Sequence, residues 1–224
     1  MRIVVFDLDG TLADTSADLI AAANVCFRAR GLGDVLDPVA DARTALRGAR
    51  AMLCLGFSRQ GAGGGAEIEA EVEADYPRLL EAYSGAIHVH SRLYPGARAA
   101  VERLLDAGYA TAICTNKPEG MADILLQSLG VRGLFGALIG ADTLPVRKPD
   151  PAPFFASVER AGGDASRAVL IGDTETDRET ARAAGVPCVL VTFGPEGRAV
   201  EALAPEAVLD HFDGLDAVTT RLIG

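Results

Sequence analysis

Apolar residues cluster in four short runs, at positions 3–6, 109–114, 168–171 and 188–191, each too short for a helix and closed by a polar residue or a turn. Runs of this length, rich in β-branched residues and without polar alternation, suit strands buried on both faces. Between and after them, residues 96–108, 118–130, 151–162 and 176–185 carry helical periodicity, and each segment ends on a glycine fit for a helix C-terminus. Strand followed by helix, repeated along the chain, predicts a doubly wound parallel α/β sheet. Right-handed crossovers then bring the strand C-terminal ends to one edge, where open sheets of this kind bind ligands.

Residues 14–94 break the rhythm. They hold alanine-rich and acidic helical patterns without a convincing buried strand, and the breaks at 31–33, Asp37-Pro38, Gly48 and 61–65 predict about four helices in two hairpins. Tyr94-Pro95-Gly96 marks the return to the sheet. The expected organisation is an α/β core from residues 1–13 and 95–224, with residues 14–94 inserted after the first strand as a helical cap, or lid, over the strand ends.

The composition of the 224 residues, 49% hydrophobic and 23% charged, is that of an ordinary folded chain. With 31 acidic and 21 basic residues the formal charge is −10, and no basic run is available to neutralise a phosphate backbone, so nucleic acid is excluded as an expected partner. The four cysteines are widely separated and are read as reduced. No apolar run approaches the ~18 residues of a membrane span, and the first carboxylate, Asp7, comes too early for a signal peptide, so a cytoplasmic location is expected. Monomer and homodimer both remain open. Basic charge is almost entirely arginine, since Lys117 and Lys148 are the only lysines.

Four segments carry candidate chemistry. Asp7-Leu8-Asp9-Gly10-Thr11 closes the first strand, so alternation points Asp7 and Asp9 the same way at the ligand edge. Two carboxylates so placed repel, and are tolerable with a cation between them, with one protonated, or fully solvated as an ordinary Asp-Gly turn. Gly172-Asp173, with Asp177 four residues on, follows another strand and opens a helix. Capping alone would explain these acidic residues, but a second carboxylate pair at a parallel strand end also makes a hard oxygen site suited to Mg²⁺. Thr115-Asn116 follows the strand at 109–114, where hydroxyl and amide donors cradle an anion or simply cap a helix. Lys148, before Pro149, is a candidate counter-charge for phosphate or, taken by itself, a solvated loop lysine.

In this order and at these separations, the four segments resemble the four motifs of the haloacid dehalogenase superfamily, and the resemblance covers the whole chain. It implies a Rossmann-like parallel sheet core with an inserted α-helical cap. It also implies that Asp7 attacks phosphorus to give an aspartyl-phosphate, while Asp9 protonates the leaving oxygen and then activates water. Mg²⁺ would be held by Asp7, the main-chain carbonyl of Asp9 and Asp173, with Asp177 supporting the ligands or pairing with Lys148. Thr115 and the amide of Asn116 would bind phosphoryl oxygens, and Lys148 would neutralise charge on the transferring group.

Within that superfamily, Asp9, Asp173 and Asp177 disfavour carbon–halogen chemistry, and the absence of lysine between Asp14 and Tyr94 excludes a Schiff-base phosphonate hydrolase. The segments around Asp14, Thr115, Lys148 and Ala181 are similar to phosphoglycolate phosphatases, which implies a small phosphorylated metabolite as substrate. A β-phosphoglucomutase-like enzyme, or a phosphatase for sugar phosphates, nucleotides or pyrophosphate, is the alternative. A binding-only role has no supporting feature, because every motif carboxylate is intact. Arg43, Arg47 and Arg50 recur at helical spacing and are expected on one face, as a solvated stripe or, with Arg47 beside Gly48, as a clamp for a substrate carboxylate. The glycine-rich 61–66 segment follows no strand and is read as a linker, and His88 and His90 are read as structural.

Overall fold

The structure, a computed structural model, describes residues 1–45, 47–61 and 65–224. In chain order the strands and helices are β1 (Ile3–Phe6), β2 (Ala13–Asp14), α1 (Ser16–Ala29), α2 (Ala42–Ala45), α3 (Ala49–Arg59), α4 (Gly65–Gly85), β3 (Arg92–Leu93), α5 (Ala97–Asp106), β4 (Ala110–Cys114), α6 (Glu119–Ser128), β5 (Ala137–Ile139), α7 (Ala152–Arg160), β6 (Ala168–Gly172), α8 (Glu175–Ala184), β7 (Cys188–Val191), β8 (Ala207–Leu209) and α9 (Leu215–Ile223). Residues 1–14 and 93–224 form one compact unit and residues 15–92 a second.

The first unit is built on a six-stranded sheet in the order β5-β4-β1-β6-β7-β8, with every neighbouring pair parallel. β1 is central, and all four of its residues are fully buried because both faces of the strand are covered. Alternation sends Ile3 and Val5 to the face shared with Ala112, Leu170 and Leu190, on which Phe154 and Val158 of α7 and Ala181 of α8 pack. α5 and α9 pack against each other and against β4, β6 and β8. The sequence pattern misses β5 and β8, the two edge strands. Each is three residues long, below the length at which an apolar run separates from its surroundings.

Parallel order and register bring the C-terminal ends of β1, β4 and β6 side by side, with Phe6 opposite Ile113 and Ile171. The chain leaves β1 through a tight turn in which Gly10 N–H donates to Ala13 O and Leu12 N–H to Leu8 O. Gly10 adopts φ +82°, and a Cβ there would come within 2.3 Å of Asp173 Oδ2, so only glycine serves.

The second unit is helical. α1 packs on α2, α3 and α4, and α3 packs on α4. Phe27 and Phe57 meet edge to face at 5.3 Å, and Gly56 makes room for the Phe27 ring. Arg59 grips buried Asp41 through two 2.6 Å hydrogen bonds, and Arg30 reaches Asp75 at 2.7 Å. Asp18 accepts from the main-chain N–H groups of His90 and Ser91, holding the unit's last residues to its first helix. Both histidines are exposed, and His90 is engaged through its backbone.

Arg43, Arg47 and Arg50 do not share one helical face. α2 ends at Ala45, Arg47 lies in the following turn, and Gly48 at φ +100° breaks the path before α3 starts at Ala49. Arg50 is committed locally: its guanidinium pairs with Glu73 and lies 4.2 Å from the Tyr76 ring centroid. Leu46, beside Arg47, and positions 62–64 of the glycine-rich segment lie outside the described residues.

Candidate active site

Asp7 is the first residue after β1. Its N–H donates to Ile171 O, which continues the β1–β6 ladder by one rung and fixes the direction of the carboxylate. Asp173 follows β6 directly, and Asp177 lies in the first turn of α8. All three are buried, and each offers an oxygen within 4.8 Å of the others'. Gly172 permits this approach, because a Cβ there would meet Asp177 at 2.3 Å.

Asp177 has two tasks. Its Oδ2 accepts from the N–H groups of Asp173 and Thr174 and from Thr174 Oγ1, closing the start of α8. Its Oδ1 accepts from Lys148 Nζ at 2.6 Å. Capping and site building are therefore both present in one side chain. Lys148 Nζ also lies 3.0 Å from Asp7 Oδ1, an ion pair whose alignment is too poor for a hydrogen bond. Lys148 is buried, which opposes its charge, yet the carboxylates of Asp177 and Asp7 outweigh that and hold its pKa above the usual lysine range.

The aspartates respond in the opposite sense. Burial, reinforced by Asp177 and Asp9 and opposed by Lys148, raises Asp7 to about 6. Burial, Asp177 and Asp7 likewise raise Asp173, against Thr11 and Lys148. One lysine thus faces three buried carboxylates. Asp7 Oδ1 and Asp173 Oδ2 are buried and make no hydrogen bond, a costly state for carboxylate oxygens unless a cation takes their lone pairs. The donors are all oxygen, close together and hard, which fits Mg²⁺. Among the described residues, this is the acidic group with the spacing for a metal.

The other expected residues divide. Thr115 is buried at the end of β4, and its Oγ1 accepts from Lys117 N–H at 3.2 Å. The Asn116 side chain donates to Lys148 O at 3.0 Å, so it holds the loop that carries the lysine. Cys114, immediately before, is a buried thiol pushed up to about 12 by burial, against the pull of Lys148, and is no nucleophile at neutral pH. Sequence reasoning gives no role to two residues found here. Thr11 Oγ1 donates to Asp173 Oδ1 at 2.8 Å. Lys117 is buried, and its Nζ binds both carboxylate oxygens of Asp9, at 2.8 and 3.1 Å. The scarcity of lysine was the available signal, since each of the two lysines ends on one of the paired aspartates.

The site thus combines buried carboxylates at adjacent ends of a parallel sheet with a buried lysine, in a chain that carries a helical insertion after its first strand. Residues 1–185 match the haloacid dehalogenase-like hydrolase family, and the chain belongs to it. Curated relatives include the phosphoglycolate phosphatase of Mesorhizobium japonicum, 42% identical and covering 99% of this chain and 96% of its own, and that of Caulobacter vibrioides, 40% identical with 93% and 86% covered. In fold, the chain is similar to a structure described as a predicted phosphoglycolate phosphatase of Haemophilus somnus, at TM-score 0.82, 24% identity and 98% of both chains. A haloacid dehalogenase-like hydrolase of Streptococcus pneumoniae superposes at TM-score 0.78, with 21% identity over 97% of this chain and 98% of its own. Among the described residues, no helix is long and apolar enough to cross a membrane.

Proposed function

We propose that the protein is a Mg²⁺-dependent phosphatase of small phosphorylated metabolites in the cytoplasm, with 2-phosphoglycolate as its substrate and no nucleic acid or membrane partner. The observation that carries this reading is the buried Asp7–Asp173–Asp177 group facing Lys148, in a chain 42% identical to a phosphoglycolate phosphatase over almost its full length.

Asp7, fixed by its backbone bond to β6, presents a carboxylate oxygen to phosphorus, and the P–O bond to glycolate breaks as the new Asp7–P bond forms. Asp9 gives its proton to the departing glycolate oxygen, then takes one from the water that attacks phosphorus, releasing inorganic phosphate and restoring Asp7. Thr115 Oγ1 and the Asn116 N–H donate to phosphoryl oxygens, and Lys148 offsets their negative charge. Asp7, the Asp9 carbonyl and Asp173 would hold the cation, with Asp177 behind them. When bound, Mg²⁺ supplies charge neutralisation between the nucleophile and the phosphate dianion. Arg47 and Gly48 of the helical unit are assigned to the substrate carboxylate. On that assignment, Arg47→Ala raises KM for phosphoglycolate more than for a neutral phosphate ester; equal effects on both would remove it.

The test is phosphate release from phosphoglycolate, sugar phosphates, nucleotides and pyrophosphate, with Mg²⁺ or EDTA, by wild type and Asp7→Asn. Mg²⁺-dependent release that favours phosphoglycolate and vanishes in Asp7→Asn is expected. Preference for a sugar phosphate would move the assignment towards a mutase or another phosphatase, and release unchanged in Asp7→Asn would discard the aspartyl-phosphate.

A further inference from the structure

The chain has two lysines, and both have buried side chains that end on the first motif: Lys148 on Asp7 and Lys117 on Asp9. The proposed reaction gives Lys148 a task and leaves Lys117 without one. Lys117 is nonetheless held at its backbone. Its N–H donates to Thr115 Oγ1, and its carbonyl accepts from Ala141 N–H at 2.9 Å, so the chain is pinned on both sides of the Cα. From that fixed base the side chain, 4% exposed, reaches both oxygens of Asp9, whose own side chain is 17% exposed.

A carboxylate at the end of a strand rotates freely about its side-chain bonds unless something holds it, and misplacing a catalytic group by about 1 Å costs on the order of 100-fold in rate. An ammonium within reach of both oxygens restrains the carboxyl group by charge-assisted contact from one fixed point.

The geometry points to Lys117 as the positioning residue of Asp9, setting the orientation in which that carboxylate meets the leaving-group oxygen and the attacking water. Through Thr115 Oγ1, which accepts from the Lys117 N–H, the same short segment also couples the phosphoryl-binding hydroxyl to the group that handles the proton. The inference rests on the acid–base role proposed for Asp9. It predicts a kcat effect with little effect on phosphate binding, since Lys117 is assigned to the carboxylate and not to phosphate.

The experiment is a double-mutant cycle on the Mg²⁺-loaded enzyme with Lys117→Met, Asp9→Asn and the pair, scored by kcat, KM and inhibition by inorganic phosphate, with Lys117→Gln and Lys117→Arg as companions. Lys117→Met is expected to lower kcat by roughly 10- to 100-fold. KM and the phosphate inhibition constant should stay within about threefold, Lys117→Arg should recover part of the loss, and the double variant should be no slower than Asp9→Asn alone. Should Lys117→Met fail to fold, Lys117→Gln keeps the stem and serves in its place. A tenfold rise in KM and in the phosphate inhibition constant at unchanged kcat overturns the inference in favour of direct phosphate binding. An Asp9→Asn enzyme with strongly reduced but measurable turnover, on which Lys117→Met costs the same factor again, also overturns it while leaving the role of Asp9 intact. Retained turnover in Asp9→Asn overturns both.

Discussion

Lys148 Nζ and Asp177 Oδ1 lie 2.6 Å apart with both side chains almost wholly out of solvent, and this pair joins the loop before α7 to the first turn of α8. Removing one member of such a pair leaves an uncompensated charge where water cannot reach it. Lys148→Met is therefore expected to lower the stability of the metal-free protein by about 3–5 kcal/mol, measured by urea unfolding in EDTA. It should also lower kcat/KM by at least ~100-fold. A stability change near zero would mean that the cluster is already neutralised by protonation.

Asp7→Asn carries the opposite sign for stability. Asp7 sits among Asp173 and Asp177, and its own charge is disfavoured by burial and by those neighbours. An amide in its place takes one negative charge out of the cluster while Lys148 keeps Asp177. Turnover should fall by roughly 10⁴ or more, while Tm in EDTA stays level or rises and the gain in Tm on adding Mg²⁺ shrinks. A large fall in Tm would make Asp7 a structural residue first.

How far the sequence reveals this site depends on chain distance. β1, β4, β6 and β7 are visible because burial on both faces writes itself as an uninterrupted apolar run, and the carboxylates that follow them are legible from the ends of those runs. Asp177 is visible only as one of two alternatives, cap or site, because its partner Lys148 is 29 positions away; the structure shows it doing both. Lys117 and Thr11 are illegible for the same reason at larger range, their carboxylate partners lying 108 and 162 positions off. The arginine face fails locally: Gly48, itself a break in the sequence pattern, lies between Arg47 and Arg50, and there the backbone leaves the helical region.

The metal-free protein should lose stability as pH rises from about 4 to above 6. Asp7 has its pKa raised to about 6 from 3.8, and Asp173 is raised in the same direction, so the folded state binds more protons than the unfolded chain across that interval. Stability contributed by the protonated cluster is complete below the unfolded value and is lost as pH passes through the folded one. Asp41, lowered by Arg59, and Asp210, lowered by Thr192, work the other way and cost stability only as pH falls below about 4. Urea midpoints in EDTA at pH 4.5, 6 and 7.5 should fall in that order, and saturating Mg²⁺ at pH 7.5 should restore the loss. A flat profile in EDTA would show that the three carboxylates are not competing for charge.

Thr11→Val separates metal binding from chemistry. Thr11 is fully buried, and its hydroxyl gives Asp173 Oδ1 its hydrogen bond, leaving Oδ2 as the unpartnered oxygen that faces the cluster. Valine keeps the shape and deletes the donor, so Asp173 loses the contact that fixes which oxygen is presented. Outer contacts of this kind are typically worth 10- to 100-fold in metal affinity. The Mg²⁺ concentration for half-maximal activity should rise by about that factor, while kcat at saturating Mg²⁺ stays within about threefold of wild type. Mg²⁺ titration followed by Tm gives the same affinity without turnover. An unchanged Mg²⁺ requirement with a reduced kcat would place Thr11 with the phosphoryl-binding groups instead of behind the metal.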